Sequence, residues 1–239
     1  MTGSLRARAT LARRALVLAR NWRTARGPAA AHVEDLLREG EWAAAHRVGI
    51  AQAHAAVASG QPVRLELGGG DFRRSGWLSI DATDGAQIRL DLRRALPFPN
   101  GSVAEIHSEH FLEHLRYPDE VMGILREAWR VLAPGGLFSF SVPNVRPYAE
   151  AYVRDDLDWL RDRVYDRPPG GAYDDTALDV LAWFALREGE HLTLFDGENA
   201  CHRMRLAGFS EVKTREFDPA RDYNRRESSV YVEGRKAAS

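Results

Sequence analysis

Three consecutive glycines, Gly68, Gly69 and Gly70, follow directly on the apolar run Arg64-Leu65-Glu66-Leu67. Where a strand runs into glycines, the backbone can approach a ligand that any Cβ would hold off. The carboxyl end of a strand is also where a doubly wound sheet takes a mononucleotide. A glycine turn by itself fits a plain turn equally well. A dinucleotide fingerprint would need a further glycine at position 73, which is Arg73. It would also need a crossover helix, for which Asp71 to Ser79 leaves too little chain, so diphosphate binding is disfavoured.

Other residues with chemical capacity follow at strand ends. Asp81 closes the run Trp77-Leu78-Ser79-Ile80, and Asp91 follows Ile88-Arg89-Leu90. Each can cap a turn or accept from a ligand. Glu113 can pair with Arg116 on a helix surface. His110 and His114 stand four apart and would share a helical face, an arrangement that invites a metal. No third ligand stands at a matching spacing, so the sequence predicts no metal site.

Five segments in order resemble the class I S-adenosylmethionine-dependent methyltransferases, and in particular small bacterial sugar and natural-product methyltransferases. Leu65–Gly70 is similar to the family's first motif, an acidic residue followed by glycines. Gly76–Asp81 resembles the second-strand motif, and Asp91-Leu92 with Leu96-Pro97-Phe98 resembles the third. Ser108–Leu115 resembles the fourth-strand segment. Glu127–Asn144, with Pro134-Gly135-Gly136, resembles the helix, turn and fifth strand. The likeness is continuous from Val63 to Asn144 and returns from His191 to Lys236. One departure is Phe72, where many members carry a further glycine.

The resemblance implies S-adenosylmethionine as cofactor and a role for each position. Gly68, Gly69 and Gly70 pass beneath the methionine moiety and ribose, and Glu66 sits near the cofactor's ammonium. Asp81 accepts both ribose hydroxyls. Asp91 accepts from the adenine amino group while Leu92 packs on the ring. Ser108 and Glu109 face the sulfonium. A hydroxyl acceptor benefits from a base, and histidine serves near neutral pH. The candidates are His110, after the fourth strand, and His191, in Gly189-Glu190-His191-Leu192. His107 is expected inside the strand and His202 inside a late helix.

The elements that must position these groups alternate strand and helix. The expected fold is α/β: a Rossmann-like, doubly wound, mostly parallel seven-stranded sheet with N-terminal helices and an inserted helical cap. Three parts are expected: a helical extension over 1–60, a methyltransferase domain over 61–146 and 198–239, and a substrate cap over 147–197. Two helices are expected between the Gly27-Pro28 break and Gly60, the second beginning near Glu41. The cap carries Tyr148, Tyr152, Trp159, Tyr165, Tyr173 and Trp183 among many aspartates. Aromatic faces beside carboxylates suit a saccharide, and equally suit an ordinary amphipathic cap.

Composition narrows the class. Thirty-three basic and 34 acidic residues leave a net charge of −1, which implies no general affinity for nucleic acid. The single cysteine, Cys201, rules out a disulfide framework and fits a cytoplasmic protein. No apolar run reaches the roughly 20 residues a spanning helix needs. From Met1 to Val33 there is no acid, and Arg6, Arg8, Arg13, Arg14, Arg20, Arg23 and Arg26 surround a narrow apolar stripe. That stretch is expected to pack on the core or make a homodimer, ahead of peripheral membrane contact. The expected reaction is O-methylation of a hydroxyl on a sugar, polysaccharide or related small molecule. The alternative is a catalytically silent binding or scaffold protein.

Overall fold

A computed structural model describes residues 28–164, 176–223 and 228–238. The basic stretch before Pro28, Tyr165, Tyr173 and the acids beside Tyr173 lie outside the described residues. The chain divides into two units, Met1–Ala44 and Ala45–Ser239. Within the first, α1 begins at Pro28; the helix ends in the second unit at Ala58. It is one helix where two were expected. Gly40 interrupts nothing: its surroundings are open, and a solvated helix glycine costs only about 1 kcal/mol.

The second unit is built on seven strands. They are β1 (Val63–Leu67), β2 (Leu78–Asp81), β3 (Ile88–Arg89), β4 (Val103–Glu109), β5 (Leu132–Pro143), β6 (Ser210–Arg215) and β7 (Ser229–Arg235). Their order across the sheet is β3-β2-β1-β4-β5-β7-β6. The first five run parallel, and β7 is antiparallel to both β5 and β6. The chain moves outward from β1 to β3, then returns to β4 on the other side. That reversal leaves a crevice at the carboxyl ends of β1 and β4, the switch point at which open α/β sheets bind ligands.

Strands buried on both faces read as continuous apolar runs. Leu65, Leu67, Ile106, Phe138, Phe140 and Val142 are accordingly buried in the sheet core. Helix α2 (Asp119–Val131) turns Val121, Ile124, Leu125 and Ala128 inward at helical spacing. Its Arg130 grips the carbonyls of Leu96 and Phe98 at 2.8 and 2.9 Å, fixing the loop after β3. No helix separates β1 from β2. The glycine turn leads to β2 through an irregular loop, as the short spacing to Asp81 predicted.

Between β5 and β6 the chain forms α3 (Arg146–Val153), α4 (Leu157–Arg163), α5 (Ala177–Leu186) and α6 (Gly197–Leu206). The first three share their own small core of Tyr148, Ala151, Leu160, Val180 and Trp183. The base of this insertion is cinched. Val145 N donates to Phe195 O at 2.9 Å, and Asn144 bridges Phe195 in parallel pairing. Arg146 reaches Asp196 at 2.6 Å. Among the described residues no helix is long and apolar enough to cross a membrane.

Candidate functional site

The glycine turn at the end of β1 is held by bonds from β2. Gly68 N donates to Ile80 O at 2.8 Å, and the Ser79 hydroxyl donates to Gly70 O at 2.7 Å. Gly70 N donates to Asp81 Oδ2 at 3.0 Å. Gly68 has φ +71°, and a Cβ there would drive into the Phe111 ring. A Cβ on Gly69 would strike the Glu66 side chain. Gly70, at φ +49°, has only Thr83 Oγ1 near the place of a Cβ, at 3.9 Å. Two glycines are therefore fixed by the protein's own packing, and the third opens a bare strip of backbone beside Asp81.

The two strand-end aspartates differ. Asp81 accepts from Gly70 N through one oxygen and from Thr83 N through the other, at 3.0 Å each. A carboxylate offers about four lone-pair directions, so about two remain. Asp91 has none to spare. It accepts from Arg93 N and Arg93 Nε on Oδ1, and from Arg93 Nη2 and Arg94 Nε on Oδ2. Burial opposes its charge, but the two guanidinium groups outweigh that and hold its carboxyl below the usual range. The carboxylate for which an adenine contact was expected is thus held by Arg93 and Arg94. Leu92 beside it is buried.

Glu66 is fully buried, against the glycine turn. Its Oε1 lies 2.9 Å from Nδ1 of His107, one strand over, while Oε2 is buried with no hydrogen-bond partner. Nε2 of His107 lies 3.1 Å from Asp222 Oδ1. Asp222 takes two bonds of 2.6 Å from Arg215, and Arg215 reaches Ser139 Oγ at 2.7 Å. Burial works against a charge on His107, yet the Asp222 and Glu66 bonds prevail and raise its pKa above the ordinary value. The same segment covers Glu109, whose Oε1 accepts from Tyr223 N at 2.8 Å. Phe72, in the place of the absent glycine, stacks on Tyr223 at 3.9 Å between centroids. Ser108 is buried with its hydroxyl unpartnered.

His110 directly follows β4 at φ +50°, a backbone region uncommon outside glycine and often associated with functional sites. Its Nδ1 lies 3.2 Å from Glu113 Oε1, and its Nε2 lies 2.9 Å from the Ser229 hydroxyl. Glu113 belongs to the short 3₁₀ turn Leu112–His114 and its side chain is only 2 % exposed. Ser229 opens β7 and lines an open cleft of about 930 Å³ with Asn144, Arg146, Thr214, Glu216 and Tyr231. The cleft thus lies at the β5–β7–β6 end of the sheet, with a polar wall, and its lining does not include the glycine turn or Asp81.

His191 comes to the same turn from the far end of the insertion. Leu192 N and Thr193 N both donate to Glu113 O, at 2.8 and 3.1 Å. The His191 ring meets the His114 ring edge-on at 5.3 Å. Burial pushes the His191 pKa down, partly offset by the Glu113 charge. His114 Nδ1 bonds the Glu190 carbonyl at 2.9 Å. His110, Glu113, His114 and His191 thus form one cluster. Asp222, Arg215 and Ser229 had no local signal in the sequence: they reach the site from the last two strands and the loop between them.

The cap's aromatic residues are largely spent on the cap. Tyr148 stacks on Phe184 at 3.6 Å and meets Trp159 at 5.4 Å, and Trp183 is buried beside them. Of the two readings the sequence left open, Tyr148, Trp159 and Trp183 follow the second: they pack into the cap's own core.

A model of the methyltransferase-domain family matches residues 27–214. No curated relative matches the chain in sequence. Several solved S-adenosylmethionine-dependent methyltransferases are similar in outline. One from Thermotoga maritima is 16% identical, with 84% of this chain and 95% of that one covered, at a TM-score of 0.43. One from Methanosarcina mazei is 15% identical over 74% and 93%, at 0.47. One from Mesorhizobium loti is 19% identical over 76% and 96%, at 0.44. With the family model spanning well over half of the chain, on a sheet whose switch point carries the glycine turn, the chain belongs to the methyltransferase-domain family, of the class I S-adenosylmethionine-dependent kind.

Proposed function

We propose that the protein methylates a hydroxyl of a small polar acceptor, such as a sugar or related natural product, with S-adenosylmethionine as donor and His110 as base. The observation that carries this is the line Glu113–His110–Ser229. A buried carboxylate orients the ring through Nδ1, and Nε2 already holds a hydroxyl at the wall of the cleft. An acceptor hydroxyl in the place of the Ser229 hydroxyl would meet the same nitrogen.

The cofactor's fit rests on the bare backbone at Gly70 and the two remaining lone pairs of Asp81, which suit a pair of ribose hydroxyls. When bound, S-adenosylmethionine supplies an electrophilic methyl carbon and a neutral thioether leaving group. The protein's own part is to orient and to move one proton. Asp81 and the glycine turn fix the nucleoside, and Ser108 stands at the tip of β4 with a free hydroxyl. His110 Nε2 takes the acceptor's proton, and Glu113 stabilises the imidazolium that forms. The polar wall of Asn144, Thr214 and Glu216 supports an acceptor rich in hydroxyls.

Titration calorimetry with S-adenosylhomocysteine, followed by mass spectrometry of acceptors incubated with S-adenosylmethionine, tests the reading. Micromolar binding, roughly −7 to −8 kcal/mol, with a gain of one methylene on a hydroxyl acceptor is expected. No binding would identify a silent scaffold. Methylation confined to nitrogen or carbon would overturn the hydroxyl assignment.

A further inference from the structure

The turn that holds Glu113 presents more than a base and its orienting carboxylate. One carboxylate oxygen of Glu113, one ring nitrogen of His114 and one of His191 lie within 4.8 Å of one another. Glu113 Oε2 is buried and has no hydrogen-bond partner, although the other oxygen is bonded to His110. A buried carboxylate oxygen left unpaired is costly, and native structures seldom leave one without a purpose. The His114 ring is already oriented. Its Nδ1 faces the Glu190 carbonyl at 2.9 Å, an acceptor only, so Nδ1 carries the hydrogen and Nε2 presents its lone pair. A histidine held by a backbone carbonyl through one nitrogen is the usual outer arrangement of a metal-bound imidazole.

We propose that Glu113, His114 and His191 bind a divalent transition-metal cation beside His110. Two imidazoles and one carboxylate form a donor set suited to zinc, iron(II) or cobalt(II), and poorly suited to calcium. Three protein ligands leave coordination positions open, as catalytic sites do. His114 is exposed and Glu113 buried, so the open side faces solvent and an incoming acceptor.

The position beside His110 rests on the proposed methyl transfer; the ion site itself does not. An acceptor oxygen on the cation would lose its proton more readily. The proton passes to His110 Nε2, the oxygen–carbon bond forms, and the carbon–sulfur bond breaks to release S-adenosylhomocysteine. The acceptors best suited to this site offer a second oxygen near the first, such as a vicinal diol.

The second cluster of potential ligands, His107, Glu109 and Asp222, has no such capacity. Asp222 is taken by Arg215 and His107, and Glu109 by Tyr223 N. The Arg215 guanidinium also occupies the place of a cation there.

Cobalt(II) titrated into the full chain, freed of metal by chelation, tests the site through visible absorption. One equivalent with d–d bands of nitrogen and oxygen ligation is expected. His114→Ala, His191→Ala and Glu113→Gln should each weaken binding by at least the roughly 10–100-fold that the loss of an outer partner costs a metal site. His202→Ala, an exposed histidine on α6, should leave it unchanged. Absence of the bands, or bands retained in both His114→Ala and Glu113→Gln, would overturn the proposal. Binding of S-adenosylhomocysteine to the same metal-free chain and variants is the separate readout. If it persists while cobalt(II) fails to bind, the cation site falls and the methyl-transfer reading stands. His114 is exposed, so its variant folds most readily, and circular dichroism checks each one.

Discussion

Asp81 ends β2 and Asp91 follows two residues after β3, yet Asp81 holds two backbone amides while Asp91 is gripped by two arginine side chains. The same residue type at analogous positions thus has opposite capacities: one carboxylate remains open to a ligand and the other serves as a structural anchor.

That difference predicts a split. Asp81→Ala should cost about 1.5–3 kcal/mol of S-adenosylhomocysteine affinity, since a charged acceptor of two hydroxyls is removed. Asp91→Asn should lower the melting temperature and change affinity far less. Calorimetry and thermal unfolding of both variants check this; equal losses of affinity would place Asp91 back against the ligand.

His110→Ala should lower kcat by roughly 10²–10⁴ while leaving S-adenosylhomocysteine affinity nearly intact, the pattern of a lost base. Steady-state rates across pH with an accepted substrate provide the measurement. Near-wild-type kcat would leave methyl transfer to proximity and orientation alone.

His107 is expected to make stability depend on pH. It is enclosed by Glu66 and Glu109 from the sheet, by Asp222 and Tyr223 from the covering loop, and by the Trp77 ring, with Arg215 behind Asp222. Its raised pKa means that the charged form stabilises the fold below the ordinary histidine value of about 6.5. That contribution fades as pH rises through the higher folded value. Near pH 6, His107→Gln should cost about 3 kcal/mol, as breaking a buried charged pair does. The gap to wild type should narrow toward pH 9 in urea titrations. A gap that widens with pH would show that the ring is held neutral.

Gly68→Ala should destabilise by roughly 1–3 kcal/mol, since the Cβ meets the Phe111 ring and the backbone is left-handed. Phe72→Ala should cost about 1 kcal/mol through loss of the Tyr223 stack. Denaturant midpoints distinguish the two; a neutral Gly68→Ala would mean that the turn relaxes freely.

The sheet, the glycine turn and Asp81 were legible in the sequence because each is local: an apolar run, a breaker, and an acid at a strand end. His110 was legible for the same reason. The partners that give these residues their character were not. Asp222 and Ser229 stand more than a hundred residues from His107 and His110, and only the antiparallel return of β7 brings them near. His191 was singled out as a base, but its closeness to His114 depends on how the insertion folds back. His107 was read as ordinary strand because nothing beside it in sequence marks Glu66 and Asp222 as its partners. Two helices were expected where α1 is continuous because glycine is a weak breaker when solvated.

The bridge between Asn144 and Phe195 gives the insertion a neck. Both ends of about fifty residues leave the sheet at one point, so the entropy of closing that loop is met at the neck and changes little with what lies beyond it. Doubling the length of such a loop costs only about 0.6 kcal/mol. The cap also has its own core, independent of the sheet. Changes of length or packing beyond the neck can therefore be absorbed within the insertion, without disturbing the glycine turn or Asp81.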